Sequence, residues 1–236
     1  MFTNFFDSGI LYLCHDLNSH FGLLGRIAAF VSENGLIKGG FIAILIWWLW
    51  FQDTPNQQPI REKILGTMIA TIGAIFLARG LALILPFRPR PIVNPELGSL
   101  FVQGNAALET WSSFPSDHAV LFFTLATGIW LISKPVGFIA FFHTIFIVCL
   151  PRIYLGLHYP TDIIAGAFLG IGIALLATRL DWRILVAKPL MKYADKSPSW
   201  FYSGFFILTF QIGEMFESSR DIIRGVVKLL IMLLPT

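Results

Sequence analysis

The feature that most constrains this chain is the recurrence of apolar stretches about as long as a membrane is thick. Runs at about 35–51, 64–86, 116–133, 136–152, 161–178 and 199–216 each come close to the roughly 20 residues that carry a helix across a bilayer. Inside hydrocarbon every backbone N–H and C=O must be satisfied within the protein, and helices do this one segment at a time. Composition agrees: 56% of the 236 residues are hydrophobic and 13% charged, where soluble domains carry about 25% charged residues. The expected fold is all-α, a polytopic membrane helix bundle of about six transmembrane spans.

The flanks read differently. Residues 1–34 mix Phe and Leu with His15, Asp16 and Asn18, too polar to span, and are expected to lie at the interface. They lack a basic leader and a small-residue cleavage site, so the segment is expected to be retained. Residues 35–218 form the transmembrane domain, and 219–236 an amphipathic, then apolar, C-terminal segment. A net charge of +3 without a long Lys/Arg run gives no reason to expect a nucleic-acid partner. Cys14 and Cys149 are too far apart in sequence to suggest a disulfide framework or a metal site.

Basic residues set the orientation. If the spans alternate, Arg61, Lys63, Lys134, Arg179, Arg183, Lys188, Lys192 and Lys196 fall on one side, which the positive-inside rule makes cytoplasmic. The 87–115 loop and the 152–160 turn then face outward together.

That outward side collects Arg88, Arg90, Ser116, Asp117, His118, Arg152, His158 and Asp162. Ionisable groups at membrane depth are costly and point to function. Several arginines with two histidines and a carboxylate suit an anion site equipped with a nucleophile and an acid. Pro160 and Thr161 read as a helix start, which puts Asp162 within hydrogen-bond reach of the His158 ring. Phe114-Pro115-Ser116-Asp117-His118 opens another helix, whose free N–H groups favour phosphate.

These residues resemble the three motifs of the type 2 phosphatidic acid phosphatase superfamily. Arg90-Pro91 is similar to the end of its first motif, Pro115, Ser116 and His118 to its second, and Arg152, His158 and Asp162 to its third, all in order within residues 79–178. The resemblance implies an integral membrane lipid phosphatase in which His158 is the nucleophile that becomes a phosphohistidine. Asp162 orients it, and His118 is the general acid. Arg90, Arg152 and Ser116 bind the phosphate, and we add Arg79, Arg88 and Asp117 to that candidate set. No cofactor or metal is implied. Three departures stand out: Leu83 occupies the first motif's Lys position, Asp117 replaces a Gly and Pro151 replaces a Ser. Arg79 lies one helical turn before Leu83 on the same face and is a candidate replacement. Phe-Pro-Ser-Asp-His-Ala resembles the bacterial undecaprenyl-diphosphate phosphatase branch. The expected substrate is therefore undecaprenyl diphosphate, and the expected location a bacterial inner membrane with the site facing periplasm or exterior.

Phosphatidate, phosphatidylglycerol phosphate and lipid A phosphate are rival substrates, and transfer to a lipid acceptor is a rival reaction. A non-catalytic phospholipid-binding protein is a rival class, disfavoured because anion binding alone needs neither nucleophile nor acid. Other polar and aromatic positions take structural readings. His143 is expected to bond a neighbouring helix, Gly166 and Gly170 to pack one, and Trp47, Trp48 and Trp50 to form an interface belt. The sequence gives no reading of oligomeric state.

Overall fold

The computed structural model describes residues 4–20, 22–101, 111–179 and 186–233, and every regular element among them is helical. Arg183 and the middle of the 92–113 loop, which the sequence suggests shapes headgroup choice, lie outside the described residues. Helix α1 is Phe5–His20 and α2 is Gly22–Glu33. Helix α3 (Leu36–Trp50) follows α2 across a 70° bend. Then come α4 (Gln57–Ile84), α5 (Asp117–Ile132), α6 (Lys134–Tyr154) and α7 (Pro160–Arg179). The chain ends in α8 (Lys188–Lys196), α9 (Pro198–Gly213) and α10 (Glu217–Leu233).

Three described helices, α4, α6 and α7, are long and apolar enough to cross a membrane, and the bent pair α2–α3 makes up to four. The apolar runs behind α5 and α9 fold into helices of only 16 residues each. The helix behind the run at 116–133 covers Asp117–Ile132, with Ser116 and Ser133 as its caps.

Helix α5 is the axis of the bundle and packs against α4, α6 and α7. Every residue from Ala119 to Ile129 is buried, which explains why that stretch is apolar on all sides rather than striped. Gly166 and Gly170 let α7 lie directly on α5. A Cβ at Gly166 would sit 2.8 Å from the Ser116 carbonyl, and one at Gly170 would collide with the Val120 carbonyl.

The aromatic belt expected at the end of α3 is corrected. Trp50 is fully buried and only Trp48 faces outward. Trp47 and Trp50 pack on Phe205 of α9 at 5.1 and 4.6 Å between ring centroids. Their indole N–H groups donate to Thr209 and Tyr202, the partners a buried indole requires. His143 pairs with the Ile37 carbonyl on α3 at 2.8 Å and stacks on Phe41, so this intramembrane imidazole locks α6 to α3.

Candidate active site

The third-motif residues are placed by a reversal at the end of α6. Pro151 has no N–H to give to the helix ladder, and the helix widens into a π turn over Thr144–Cys149 just before it. After Tyr154 the chain turns back through Gly156, whose φ is +67° and where a Cβ would strike the Phe101 ring. The Arg152 carbonyl accepts from the N–H groups of Leu157 and His158, tying both ends of the motif. Pro160 then starts α7. Asp162, three residues past Tyr159, reaches back to the Tyr159 N–H at 2.8 Å and so caps the helix.

His158 is 1% exposed and its two ring nitrogens have distinct partners. Nδ1 lies 2.9 Å from the Ser113 carbonyl, which only accepts, so Nδ1 carries the proton. Nε2 lies 3.3 Å from Arg90 Nη1, which only donates, so Nε2 holds the lone pair. Asp162 Oδ2 stands 3.6 Å from Nδ1, outside hydrogen-bond reach. The direct bond expected between Asp162 and His158 is thus replaced by a carbonyl bond, with the carboxylate acting as a charge behind it. Burial pushes His158 below the ordinary imidazole pKa, and the Arg90 guanidinium lowers it further, while Asp162 opposes both.

His118 sits in the first turn of α5. Asp117 Oδ1 accepts from both the His118 backbone N–H, at 2.8 Å, and its ring Nδ1, at 2.9 Å. This fixes the ring and leaves Nε2 for chemistry. Asp117, grouped with the phosphate-binding residues in the sequence, therefore stands behind a histidine; its other oxygen is 4.0 Å from Arg79 Nη2.

A cavity of about 540 Å³ brings together His118, His158, Asp117 and the arginines Arg79, Arg90 and Arg152. Each arginine has one buried nitrogen without a hydrogen-bond partner among the described residues: Nη2 of Arg79, Nε of Arg90 and Nε of Arg152. Buried donors without acceptors are costly, and three of them around one cavity call for an anion. Arg90 is braced by its bond to the Leu157 carbonyl at 2.8 Å.

Two expected phosphate ligands do not line this cavity. Ser116 is fully buried, and its hydroxyl accepts from the Ala119 N–H as the cap of α5. Arg88 is turned into a buried cluster. It bonds Asp162 Oδ1 at 2.5 Å, Asp7 Oδ2 at 2.7 Å and the Thr161 hydroxyl at 2.9 Å, and lies over the Tyr159 ring. Its role there is to fix the carboxylate behind His158.

The sequence reasoning missed Asp7, Lys38 and the carbonyl of Ser113. It also missed Glu217, Arg220 and Arg224 of α10, which reach the cavity wall. Lys38 could have been found, since it is an ionisable residue inside the first apolar run. Asp7 could not, because nothing local links it to Arg88.

Residues 62–185, more than half of the sequence, match the model of the PAP2 superfamily. The chain belongs to the PAP2 superfamily. It is an integral membrane protein and a lipid phosphatase of that superfamily. It is 29% identical over 159 residues to the bacitracin transport permease protein BcrC of Bacillus licheniformis, covering 66% of this chain and 71% of that one. It is 26% identical over 167 residues to the undecaprenyl-diphosphatase BcrC of Bacillus subtilis, covering 71% and 80%. A solved PAP2-type phosphatidylglycerolphosphate phosphatase from Bacillus subtilis superposes with a TM-score of 0.46 at 20% identity, over 75% of this chain and 88% of the other.

Proposed function

We propose that this PAP2 phosphatase hydrolyses a lipid diphosphate, undecaprenyl diphosphate being the best candidate, through a phosphohistidine on His158. The observation that carries this reading is the pair of ring contacts on His158: a carbonyl holds the proton on Nδ1, and Arg90 lies over the lone pair on Nε2. A phosphate entering the cavity draws the Arg90 guanidinium to its own oxygens and frees Nε2 for attack. The Nε2–P bond forms as the P–O bond to the leaving group breaks. His118, held by Asp117, gives its proton to that oxygen. It then takes a proton from water, which displaces the histidine and releases inorganic phosphate. Arg90, Arg152 and Arg79 offset the charge developing on the phosphoryl oxygens.

The substrate class draws on the B. subtilis relative's name and on the cavity's surroundings. An apolar groove of about 910 Å³ between α3 and α9 shares Glu214 with the polar cavity, room for a tail beside a site for a headgroup. The reading includes six crossings, with α5 and α9 as the short ones. At 1.5 Å per residue, a 16-residue helix such as α5 is about 24 Å long against roughly 30 Å of hydrocarbon. The start of α5, and the site with it, is then recessed below the membrane surface on the outer face. The domain limits stay at 1–34, 35–218 and 219–236.

The test is phosphate release by detergent-purified protein with EDTA present, from undecaprenyl diphosphate and phosphatidate in parallel. Wild type is expected to turn over the diphosphate, His158→Ala to be inactive, and quenched wild type to carry acid-labile phosphate on His158. Activity surviving in His158→Ala would end the histidine mechanism.

A further inference from the structure

Helix α10 leans on little of the bundle beside it. All residues from Asp221 to Leu229 are exposed, and the helix it packs on is α9. A helix of 17 residues standing free in water is only marginally stable and depends on whatever its apolar face covers. Ile222, Ile223, Val226 and Leu229 form that face at helical spacing and are between 50% and 67% exposed, so no described residue covers it. Glu217, Asp221, Arg224 and Lys228 run along the opposite side, each three or four residues after the last.

The direction of α10 is fixed at its start. Met215 and Phe216 turn the chain with φ of 55° and 60°. The Phe216 N–H donates to the Gln211 carbonyl at 2.7 Å, the Ser219 hydroxyl to the Gln211 side chain at 2.9 Å, and the Ser218 hydroxyl to the Glu214 carboxylate. Held at that angle, Glu217, Arg220 and Arg224 line the polar cavity, and the apolar stripe points away from it. The neighbouring helix tells what lies on that side. Helix α9 runs into the corner with Phe206, Ile207 and Phe210 exposed, a surface that an integral membrane protein turns to lipid. An apolar stripe continuing from such a surface, flanked by Arg224 and Lys228 whose stems can carry their charges up to headgroup level, has the make-up of a helix lying in the membrane plane.

We propose that α10 docks on the bilayer surface, its Ile222, Ile223, Val226 and Leu229 stripe sunk among the acyl chains, and that this seat holds Arg220 and Arg224 at the mouth of the catalytic cavity. The occupant is the membrane and not a second copy, because one stripe on a helix of about 25 Å falls short of the roughly 800 Å² that a stable dimer takes from each partner. The two arginines stand at the mouth: Arg224 is exposed and Arg220 partly so, whereas Arg152 and His158 are buried. An anionic headgroup arriving from the lipid side meets these cations before it reaches the buried ones. The inference concerns how the cavity is presented to the bilayer, and holds whichever lipid is hydrolysed.

The test puts one fluorophore at a time on the full-length protein in phosphatidylcholine–phosphatidylglycerol vesicles, at Val226→Cys or at Asp221→Cys, with Cys14 and Cys149 replaced by Ala. A probe at 226 should be quenched by doxyl groups on the upper acyl chains and shielded from aqueous iodide, and a probe at 221 should show the reverse. Equal iodide quenching at the two positions would overturn the docking. So would shielding at 226 that is lost on dilution to one copy per vesicle, because the cover would then be another copy of the chain. Activity reads the link to the cavity, on undecaprenyl diphosphate or phosphatidate in the same vesicles, whichever wild type turns over. Val226→Asp, at an exposed position outside the core, should lower kcat/KM several-fold. It should add little to the loss in the double variant Arg220→Gln, Arg224→Gln, because the seat acts through those two cations. Full activity in Val226→Asp, or losses that simply add, would break that link.

Discussion

Two imidazoles share the cavity, and each is oriented by an acceptor at Nδ1 of a different kind. His118 has a carboxylate at 2.9 Å, which supports positive charge on the ring and suits a proton donor. His158 has a backbone carbonyl at that distance and its carboxylate withdrawn to 3.6 Å. A carbonyl fixes the tautomer without stabilising imidazolium as strongly, so His158 is kept neutral and nucleophilic. Burial and Arg90 push its pKa down from 6.5, and attack needs the neutral ring. Hence kcat/KM should fall with decreasing pH through a limb below 6.5. Replacing Arg90 by Gln removes a charge that disfavours the imidazolium, so the pKa rises and the acid limb should move to higher pH, along with a lower rate. A limb that stays in place in Arg90→Gln would show that Arg90 does not set the charge on His158. Arg79 makes a second case. Its Nη2 is buried and makes no hydrogen bond among the described residues, with the Asp117 carboxylate 4.0 Å away. Arg79→Ala should cost roughly tenfold or more in kcat/KM; full activity would restrict it to pairing with Asp117.

Helix α1 is held to the catalytic turn by one buried carboxylate. Asp7 is fully buried and accepts from Arg88, from the Thr161 N–H at 2.9 Å and from the Thr161 hydroxyl at 2.7 Å. Through Arg88 it fixes Asp162, so an N-terminal element helps to place the carboxylate behind His158. Breaking such a pair costs about 3 kcal/mol. Asp7→Ala should therefore lower the melting temperature in detergent. The double variant with Arg88→Met should lose less than the sum of the two single losses, because the residues share one cluster; strict additivity would dissolve the clamp. This clamp also shows what the sequence could convey. The His158–Asp162 spacing and the helix starts at Ser116 and Pro160 were legible because capping is local. Arg88 was misread because its partner Asp7 lies 81 residues away. The tryptophans were misread because Phe41–Trp50 is apolar on every side and shows no stripe to tell the buried face from the exposed one. The approach of α10 to the cavity depends on the corner at Met215 and Phe216, both with positive φ, a conformation no local signal announced in residues of that size.

At the scale of the whole molecule, a membrane phosphatase must hold two ends of one substrate in two solvents. The headgroup end is the 540 Å³ cavity that Arg79, Arg90 and Arg152 share with Arg220 and Arg224. The other end has a place in the 910 Å³ groove, lined by Gly40, Ala43, Ile44, Phe206 and Phe210. The two spaces meet at Glu214, which lines both, and they are separated deeper down by the backbone contact of Gly39 with Gly213. A chain bound at the arginines has a way into the groove past Glu214. Burying a tail there adds binding energy in proportion to the apolar area covered, so blocking the groove should matter only for substrates long enough to enter it. Ala43→Trp fills the groove from α3 without touching the arginines. It should raise KM for a long prenyl diphosphate and leave kcat/KM for a short, water-soluble prenyl diphosphate unchanged. An equal loss on both would place the effect in the cavity and the tail elsewhere on the bundle. No loss on either would leave the α3–α9 groove facing lipid alone.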